Sequence, residues 1–218
     1  ANTLGFGKIT GIDLPGERGG LMPSPEWKRR VSGNRWYSGE TISVAIGQGA
    51  VSATPLQVVR AISALATGGL LTTPHVLMHS EKDNGESQAF PVHRIPMQEN
   101  TARRIRNGMW AAVNDRGTGR NAAVPDMDVC GKTSTVQVVG RETKKNLREG
   151  EAETHAWFAG FSGRDNPEIA VAVFVEHGGK GGAVAAPIAR EIFKAFHQKK
   201  NPAMKGDDAD ADVKNGAS

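Results

Sequence analysis

The sequence has a single cysteine and no long hydrophobic run, and each scarcity excludes a class of protein. One cysteine among 218 residues, Cys130, rules out an intrachain disulfide. No stretch approaches the roughly 18 consecutive apolar residues that a membrane-spanning helix needs, and the start lacks a signal-peptide pattern. With 38% hydrophobic residues, the chain can form the core of one or two globular domains. Because the first residue is Ala1 and not methionine, we expect a processed or trimmed chain.

Positive charge exceeds negative charge only slightly. The chain has 27 basic and 23 acidic residues, a formal net charge of +4. The stretch 201–218 holds four aspartates and two lysines, so residues 1–200 keep 25 basic and 19 acidic residues. The basic residues are scattered, they are not interleaved with aromatic residues, and no nucleic-acid-binding motif occurs. We therefore expect no nucleic acid among the partners, and we expect 201–218 to be a disordered acidic tail.

Three helices are predicted from capping signals and hydrophobic periodicity. Thr54 can cap a helix that has Pro55 in its first turn. A second helix begins near Thr101, and its arginines are expected on a solvated face. A third covers 184–198, and its expected inward-facing residues are Ile188, Ile192, Phe193 and Phe196.

Three strands follow the second helix, with predicted ranges Val129–Gly140, Ala156–Ser162 and Ile169–Glu176. The last of them is almost unbroken in apolar residues, which is typical of a central strand covered on both faces. The turn cluster at 163–167 predicts an antiparallel hairpin between the last two strands. The predicted fold class is therefore α/β, an antiparallel sheet flanked by helices.

The other segments predict little regular structure. Residues 1–40 are rich in glycine, proline and charge and predict a mostly extended loop. Residues 70–79 predict a short strand pair or an extended segment, and 80–90 a polar turn. Arg141–Thr154 has four positive and four negative charges and one large apolar residue, which predicts a mobile flap beside the first strand.

The sequence Gly-Lys-Thr-Ser-Thr-Val-Gln at 131–137 predicts an anion-binding strand. Side chains alternate between the two faces of a strand, so Thr133 and Thr135 point the same way and Ser134 points the opposite way. With the ammonium group of Lys132 nearby, we expect these groups to converge on one carboxylate.

Cysteine and histidine are two further residue types that can act as a nucleophile or as metal ligands. Cys130 is a candidate nucleophile or, alternatively, a small buried apolar side chain in a strand. The six histidines show no metal-ligand spacing, so no metal site is expected. No cofactor is expected either.

A set of short motifs, each weak alone, carries a family resemblance by its order. The motifs are Thr10–Pro15 (Thr-Gly-Ile-Asp-Leu-Pro), Ile46–Gly49 (Ile-Gly-Gln-Gly), Ala53–Gln57 (Ala-Thr-Pro-Leu-Gln), the Lys132 strand with Gln137-Val138, and Glu176–Gly179 leading to Ala185–Pro187. The chain resembles the C-terminal half of the transpeptidase domain of class B penicillin-binding proteins, most of all the penicillin-binding protein 2 branch of cell elongation. The resemblance implies the penicillin-binding and serine β-lactamase-like transpeptidase fold, here incomplete, over residues 1–200.

In this family, three motifs meet at the active site. A Ser-x-x-Lys helix supplies the nucleophile, a Ser-x-Asn loop supplies a proton-handling hydroxyl, and a Lys-Thr-Gly-Thr strand binds the substrate carboxylate. The resemblance implies catalytic roles for Lys132, which adds positive charge beside the Ser-x-Asn hydroxyl, and for Thr135, whose N–H forms half of the oxyanion hole. It implies substrate-binding roles for Lys132, Thr133, Ser134 and Thr135, with the two threonine hydroxyls holding the carboxylate of a D-Ala-D-Ala stem peptide or of a penicillin.

The chain departs from the family pattern at two points. Ser134 occupies a position where the family has glycine, and its side chain is expected to face the nucleophile helix that packs behind the strand. None of the eleven serines is followed three residues later by lysine. Ser32-Gly33-Asn34 spells Ser-x-Asn but follows the Gly-Ile-Asp-Leu-Pro segment, whereas the family places that motif ahead of it. We expect the nucleophile, its lysine and the Ser-x-Asn motif to lie N-terminal to Ala1, so the chain alone is expected to be inactive.

The implied function is peptidoglycan cross-linking by D,D-transpeptidation. The implied partners are peptidoglycan stem peptides, the lipid-linked precursor, β-lactams and a membrane glycosyltransferase of the elongation machinery. The implied location is the periplasmic face of the bacterial inner membrane, with an anchor outside this chain. Two alternatives stay open: a serine β-lactamase or β-lactam sensor, and a non-catalytic peptide-binding module that keeps the carboxylate-binding strand.

Overall fold

The computed structural model describes residues 1–77, 90–137 and 154–201. Five helices lie in these ranges: α1 Pro25–Ser32, α2 Ser38–Ala45, α3 Pro55–Ala66, α4 Glu99–Asn114 and α5 Ala185–Lys200. Five strands lie in the same ranges: β1 Leu70–Thr72, β2 Val92–Arg94, β3 Val129–Val136, β4 His155–Ser162 and β5 Ile169–Val175. The predicted flap and polar turn, apart from their end residues Thr154 and Phe90, and the tail from residue 202 lie outside the described residues.

The main sheet is antiparallel throughout, in the order β3-β4-β5. Register pairs Lys132 with Ala159 and Ser134 with Trp157, and β4 continues with Trp157 opposite Phe174. The predicted hairpin is therefore confirmed. Within the described sheet, however, the middle strand is β4, and β5 lies at an edge with Phe174 38% exposed. The prediction of β5 as a central, fully covered strand was wrong because its apolar run is buried on one face only, at Val171 and Val173.

Helix α5 covers one face of the sheet through small residues. Its buried side chains are Ala185, Ala186, Ala189 and Phe193, all with no solvent exposure. Alanines let the helix lie close to the sheet, while burial of a large side chain such as Phe193 contributes roughly 1.5–3 kcal/mol. Ile188 and Ile192 were predicted to face inward but are 42% and 39% exposed. The prediction for these two residues was wrong because it assigned the large apolar side chains to the buried face, whereas the alanines occupy that face.

The opposite face of the sheet is covered only at one end. There Cys130 and Phe161 pack with α3 and α4 through Ala66 and Met109. Helix α3 begins as predicted: the Thr54 hydroxyl accepts from the Gln57 N–H, and the Gln57 side chain accepts from the Thr54 N–H. This reciprocal capping box satisfies two backbone donors at the start of the helix.

Helices α1 and α2 lie within the segment predicted to be loop. The Ser24 hydroxyl caps α1, with Pro25 at its first position, and Gly33 ends it in the left-handed conformation at φ 72°. Neither helix has a buried residue. The loop prediction was wrong there because each helix has only eight residues, too few for a repeated apolar pattern, although the capping residues of α1 were present.

Two side chains tie the N-terminal segment to the rest of the fold. The Asp13 carboxylate accepts hydrogen bonds from the Val76 and Leu77 N–H groups, each at 2.9 Å. These bonds, that from Leu77 first, lower the pKa of Asp13. The buried Gln57 amide donates to the carbonyls of Lys8 at 2.7 Å and Gly19 at 2.6 Å. The resemblance motifs therefore act as anchors that hold residues 8–19 against α3 and the residues after β1.

Candidate active site

Strand β3 carries the Lys-Thr-Ser-Thr sequence along an edge of the described main sheet. Its early residues are buried, and its later residues Lys132, Ser134 and Thr135 are exposed, with only Thr133 buried among them. The strand thus begins in the core and ends at the surface. The ammonium and hydroxyl groups of the motif lie in the exposed half of the strand, where a ligand could reach them.

Gly131 precedes the motif because a phenylalanine ring lies over the strand. A Cβ atom at Gly131 would lie 2.2 Å from Cζ of Phe158, and a Cβ at Gly160, its partner on β4, would lie 2.4 Å from the Cys130 carbonyl oxygen. Real Cβ atoms essentially never come so close, so both positions require glycine. This contact fixes where β3 lies on β4 immediately before Lys132.

Thr133 and Thr135 share one face of β3, on the side of the sheet where α5 packs against β4 and β5, which confirms the predicted alternation. The Thr133 and Thr118 hydroxyl oxygens lie 2.7 Å apart. The Thr135 hydroxyl accepts a hydrogen bond from the Gly181 N–H at 3.2 Å. Both motif hydroxyls are therefore held by neighbouring loops before any ligand binds.

The loop after β5 packs closely on its neighbours through two glycines, Gly181 against β3 and β4 and Gly182 against the loop of Thr118. A Cβ at Gly181 would lie 2.3 Å from the Ser134 carbonyl oxygen, and one at Gly182 would lie 2.5 Å from the Thr118 carbonyl oxygen. The Asn121 amide donates to the Gly182 carbonyl at 2.7 Å. This glycine-rich connection forms the wall beside the two threonines, and it leads into α5 as expected from the sequence.

Lys132 and Ser134 lie on the other face of β3. The Lys132 ammonium donates a 2.8 Å hydrogen bond to the carbonyl oxygen of Thr133. The structure therefore brings Thr133 and Thr135 together on one face and does not bring Lys132 to that face. The ammonium and the hydroxyls flank the strand from two sides, and their roles in catalysis and substrate binding remain predictions.

A cavity of about 580 Å³ opens on the Lys132 side of the sheet. Sheet residues line one wall, and the N-terminal part of the chain lines the other; among the lining residues are Lys132, Ser134, Trp157, Phe174, Phe6 and Met22. Most of the lining is apolar, and Phe174 is more than one-third exposed. This is the uncovered half of the sheet face whose other half α3 and α4 bury.

Two histidines and two larger aromatic residues form a cluster along that face. The His155 ring meets the Phe174 and His177 rings edge-on at centroid distances of 5.2 and 5.0 Å, and Trp157 lies 4.6 Å from Phe174. The His177 N–H donates to Nδ1 of His155 at 3.0 Å, and His177 has a φ of 51°, unusual for a residue other than glycine. His155 therefore serves as an acceptor that holds the end of β5.

Cys130 is fully buried between the sheet and helices α3 and α4. Burial raises the pKa of its thiol to about 12. A thiolate is thus not populated at neutral pH, and thiolate is the nucleophilic form. Of the two interpretations, the buried apolar side chain is the one that the structure supports.

The Ser-x-Asn sequence at residues 32–34 has a structural role in α1. Ser32 is the last residue of α1, and its hydroxyl donates to the Lys28 carbonyl, so Ser32-Gly33-Asn34 is a helix terminus. Across the described ranges, no three His, Cys, Asp or Glu side chains gather in a way that could hold a metal ion. No helix in the described part of the chain is long and apolar enough to cross a membrane.

Sequence reasoning missed three groups that hold the motif: Thr118, Asn121 and the Gly181 N–H. Gly117 and Gly119 signalled only the end of α4 in the sequence. A hydroxyl between two glycines is a signal of a close-packed loop, but nothing in the sequence connects it to a strand fifteen residues later.

Comparison with known proteins gives consistent matches over most of the chain. Residues 1–194 match the family described as the penicillin-binding protein transpeptidase domain. The peptidoglycan D,D-transpeptidase MrdA of Acinetobacter baumannii is 39% identical over 213 residues, which covers 91% of this chain and 31% of that protein. The chain therefore spans about a third of the length of this curated relative.

Solved structures share both sequence and fold with the chain. The crystal structure of Pseudomonas aeruginosa PBP2 in complex with WCK 5153 is 35% identical with a TM-score of 0.73, over 89% of this chain and 40% of that one. A chain in a peptidoglycan synthase complex that coordinates polymerization and crosslinking is 32% identical with a TM-score of 0.75, over 89% of this chain and 31% of that one. These matches confirm the predicted α/β transpeptidase fold.

Proposed function

The chain belongs to the penicillin-binding protein transpeptidase family, and we propose that residues 1–200 form the C-terminal part of a peptidoglycan D,D-transpeptidase domain of the cell-elongation type. In this proposal the complete domain cross-links stem peptides and is acylated by penicillins. The observation that carries the proposal is strand β3, an edge strand of the described sheet with Thr133 and Thr135 on one face and Lys132 on the other, beside an open cavity.

The proposed reaction is an acyl transfer through a serine ester. The serine oxygen attacks the carbonyl carbon of the D-Ala-D-Ala peptide bond, and the terminal D-alanine leaves with its amine protonated. The amine of a second stem peptide then attacks the ester, forms the cross-link and releases the serine hydroxyl. No serine in the chain begins a Ser-x-x-Lys sequence. In this proposal the nucleophile therefore lies in a segment equivalent to the part of the relatives that this chain does not span.

Each β3 residue has a proposed part in that reaction. The Thr133 and Thr135 hydroxyls donate to the terminal carboxylate of the stem peptide, which positions the scissile bond. The Thr135 N–H donates to the oxyanion, a kind of donor whose removal costs roughly 3–4 kcal/mol in the barrier where it has been measured. Lys132 supplies positive charge on the nucleophile side, and Ser134 lines the same side.

The cavity supports the idea that the nucleophile helix packs on the Lys132 face. It is largely apolar, it contains the exposed Phe174 ring, and Lys132 and Ser134 both line it. A monomer seldom leaves such an apolar face uncovered. We infer that the upstream segment fills it, and that the chain alone is both inactive and less stable than the complete domain.

The proposed partners and location follow from the relatives. A related chain occurs in a peptidoglycan synthase complex that coordinates polymerization and crosslinking, which supports a membrane glycosyltransferase as partner. Lipid-linked precursor and stem peptides would then be available at the periplasmic face of the inner membrane, where we place the protein. The transpeptidase name of a curated relative favours cross-linking over β-lactam hydrolysis or sensing.

Labelling with a fluorescent penicillin tests the proposal. The chain alone, and the chain joined to the upstream part of its own gene, are incubated with the reagent and weighed by mass spectrometry. We expect one covalent adduct on the joined protein and none on the chain alone. A stoichiometric adduct on the chain alone would show that the nucleophile lies within it, and no adduct on either protein would overturn the proposed activity.

A further inference from the structure

A hydroxyl outside the Lys-Thr-Ser-Thr motif contacts the buried motif threonine. The Thr118 and Thr133 oxygens are 2.7 Å apart, and Thr118 is exposed while Thr133 is only 8% exposed. Of the side chains that the structure describes, Thr118 is the one hydrogen-bonded to the Thr133 hydroxyl. The hydroxyl that would bind substrate is therefore connected to solvent through a second threonine.

The position of Thr118 is fixed by its own loop. The Gly119 N–H donates to the Ala112 carbonyl at 2.9 Å, and a Cβ at Gly117 would lie 2.3 Å from that same carbonyl oxygen. On the other side, the Thr118 carbonyl packs against Gly182, where a Cβ would lie 2.5 Å away. The loop is held between the end of α4 and the connection to α5, so the Thr118 hydroxyl has little freedom to leave Thr133.

The proton count of this pair decides what Thr133 can do. Each threonine hydroxyl has one proton to donate and lone pairs that accept. If Thr133 donates to Thr118, it has no proton left for a carboxylate, which only accepts. If Thr118 donates to Thr133, the Thr133 proton is free to point at the ligand.

Thr135 has a different arrangement. Its oxygen accepts from the Gly181 N–H, and a backbone N–H can only donate, so the Thr135 proton is always available. For Thr133 the same outcome depends on the direction of one hydroxyl–hydroxyl bond. A carboxylate at the strand edge favours the direction in which Thr118 donates, because a charged acceptor forms the stronger bond with Thr133.

We propose that Thr118 is a positioning residue for substrate binding: it donates to Thr133 and thereby holds the Thr133 hydroxyl as a donor to the substrate carboxylate. This inference rests on the proposed function, in which Thr133 binds that carboxylate. Thr118 acts through Thr133, and its effect is confined to ligands with a negative charge at that position.

The test compares acylation of the complete protein by benzylpenicillin and by its uncharged methyl ester. The variants are Thr118→Val, Thr118→Ser, Thr133→Val and the double variant with both valines. We expect T118V to lower the acylation rate constant for benzylpenicillin about tenfold, the factor that corresponds to about 1.4 kcal/mol for one hydrogen bond. We expect the rate constant for the ester to change less than about twofold, and T118S to restore the rate for benzylpenicillin. The double variant is expected to match T133V.

The outcomes separate this inference from the proposed function. Equal losses for acid and ester in T118V, or no loss at all, would overturn the positioning role. A wild-type protein that neither reagent acylates, or a T133V substitution that lowers the rate constants for acid and ester equally or lowers neither, would overturn the proposed role of Thr133 and the inference with it. Thr118→Ala is a further variant that removes the hydroxyl without adding a branched side chain, and a T118A loss equal for both reagents would also count against the role. Thermal unfolding of each variant checks that the loop is intact.

Discussion

The Lys132 ammonium donates a hydrogen bond to the carbonyl oxygen of its own neighbour, Thr133, across the edge of β3. The bond holds the long side chain against the strand on the face opposite to the two threonines. Since the ammonium has three protons, this bond leaves two for groups on the cavity side. The structure thus positions a cation next to the place where the proposal puts the nucleophile.

Replacing Lys132 with methionine keeps most of the side-chain length, shortens it by one atom and removes the charge. We expect penicillin acylation of the complete protein to fall roughly 10- to 100-fold, because a hydrogen bond to a charged group contributes about 1.5–3 kcal/mol. Lys199→Met, at an exposed position on α5, is the matched control and should acylate normally. Unchanged acylation in K132M would remove Lys132 from the catalytic set.

Ser134→Gly restores the residue type of the family pattern at a position that lines the cavity. We expect the S134G protein to fold normally and to be acylated by penicillin at least as fast as the parent. Removing the hydroxymethyl group lets the nucleophile helix pack closer to the strand. Ser134→Val, which enlarges the same side chain, should acylate more slowly. Second-order rate constants with a fluorescent penicillin measure both, and a faster V variant would show that nothing packs there.

The strand with its alternating hydroxyls was predictable because a period of two and a turn cluster are local signals. Helix α3 was predictable for the same reason, since Thr54 and Pro55 are adjacent to the apolar stripe that they introduce. The local pattern predicted a carboxylate-binding strand, and the family resemblance added which carboxylate it is, that of a D-Ala-D-Ala stem peptide or of a penicillin.

The rest depended on contacts between distant segments. Thr118 meets Thr133 only because α4 ends beneath β3, and Gly181 meets Thr135 across forty-six positions of chain. The exposed Ile188 shows the converse: a local pattern of large apolar residues chose the wrong side of α5, because packing selected the alanines. Sequence periodicity reports hydrophobicity, whereas close packing depends on shape.

Gln57 is the residue whose loss should weaken the N-terminal half most. It is 1% exposed, and its amide donates to the carbonyls of Lys8 and Gly19. Gln57→Leu leaves both carbonyls without this donor, so we expect the free energy of unfolding to fall by roughly 2–4 kcal/mol. Gln98→Leu, at an exposed position without a side-chain cap bond, is the matched control. Thermal unfolding of the transpeptidase domain measures the difference, and equal midpoints for the two variants would contradict the anchoring role.

Because the Cys130 thiol is buried, we expect the free energy of unfolding to fall at high pH. Its pKa is raised to about 12 by burial, whereas an exposed thiol in the unfolded chain ionises near its ordinary value of about 8.5. Ionisation of the thiol therefore favours the unfolded state, and the free energy of unfolding falls as the pH rises from about 9 towards 12. Below that range the thiol is protonated in both states and costs no stability.

Cys130→Ala isolates this effect from the lysines and the tyrosine that titrate in the same range. We expect the parent to lose more stability than C130A between pH 8 and 11, and the parent thiol to resist alkylation at pH 8 until the protein unfolds. Parallel stability curves for the two proteins, or rapid alkylation of the folded protein, would show that the thiol is accessible. C130A should also keep penicillin acylation, since the buried thiol takes no part in it.

Two glycine-to-alanine changes separate close packing from helix propensity. At Gly181 the new methyl group would lie 2.3 Å from the Ser134 carbonyl oxygen and 2.4 Å from that of Trp157, so the connection before α5 must move away from β3. Both atoms belong to strand backbones and cannot rotate aside. The hydrogen bond from the Gly181 N–H to Thr135 is then lost, and we expect G181A to lower penicillin acylation at least about tenfold, as loss of one positioned hydrogen bond does.

At Gly108, within α4, the same methyl group meets nothing within 4 Å. Alanine favours a helix over glycine by about 0.5–1 kcal/mol, so G108A should unfold at a higher temperature and acylate like the parent. The pair shares one chemical change and differs only in what surrounds it. If G181A acylated normally, the connection could not be what holds the Thr135 hydroxyl, and β3 alone would have to orient the carboxylate.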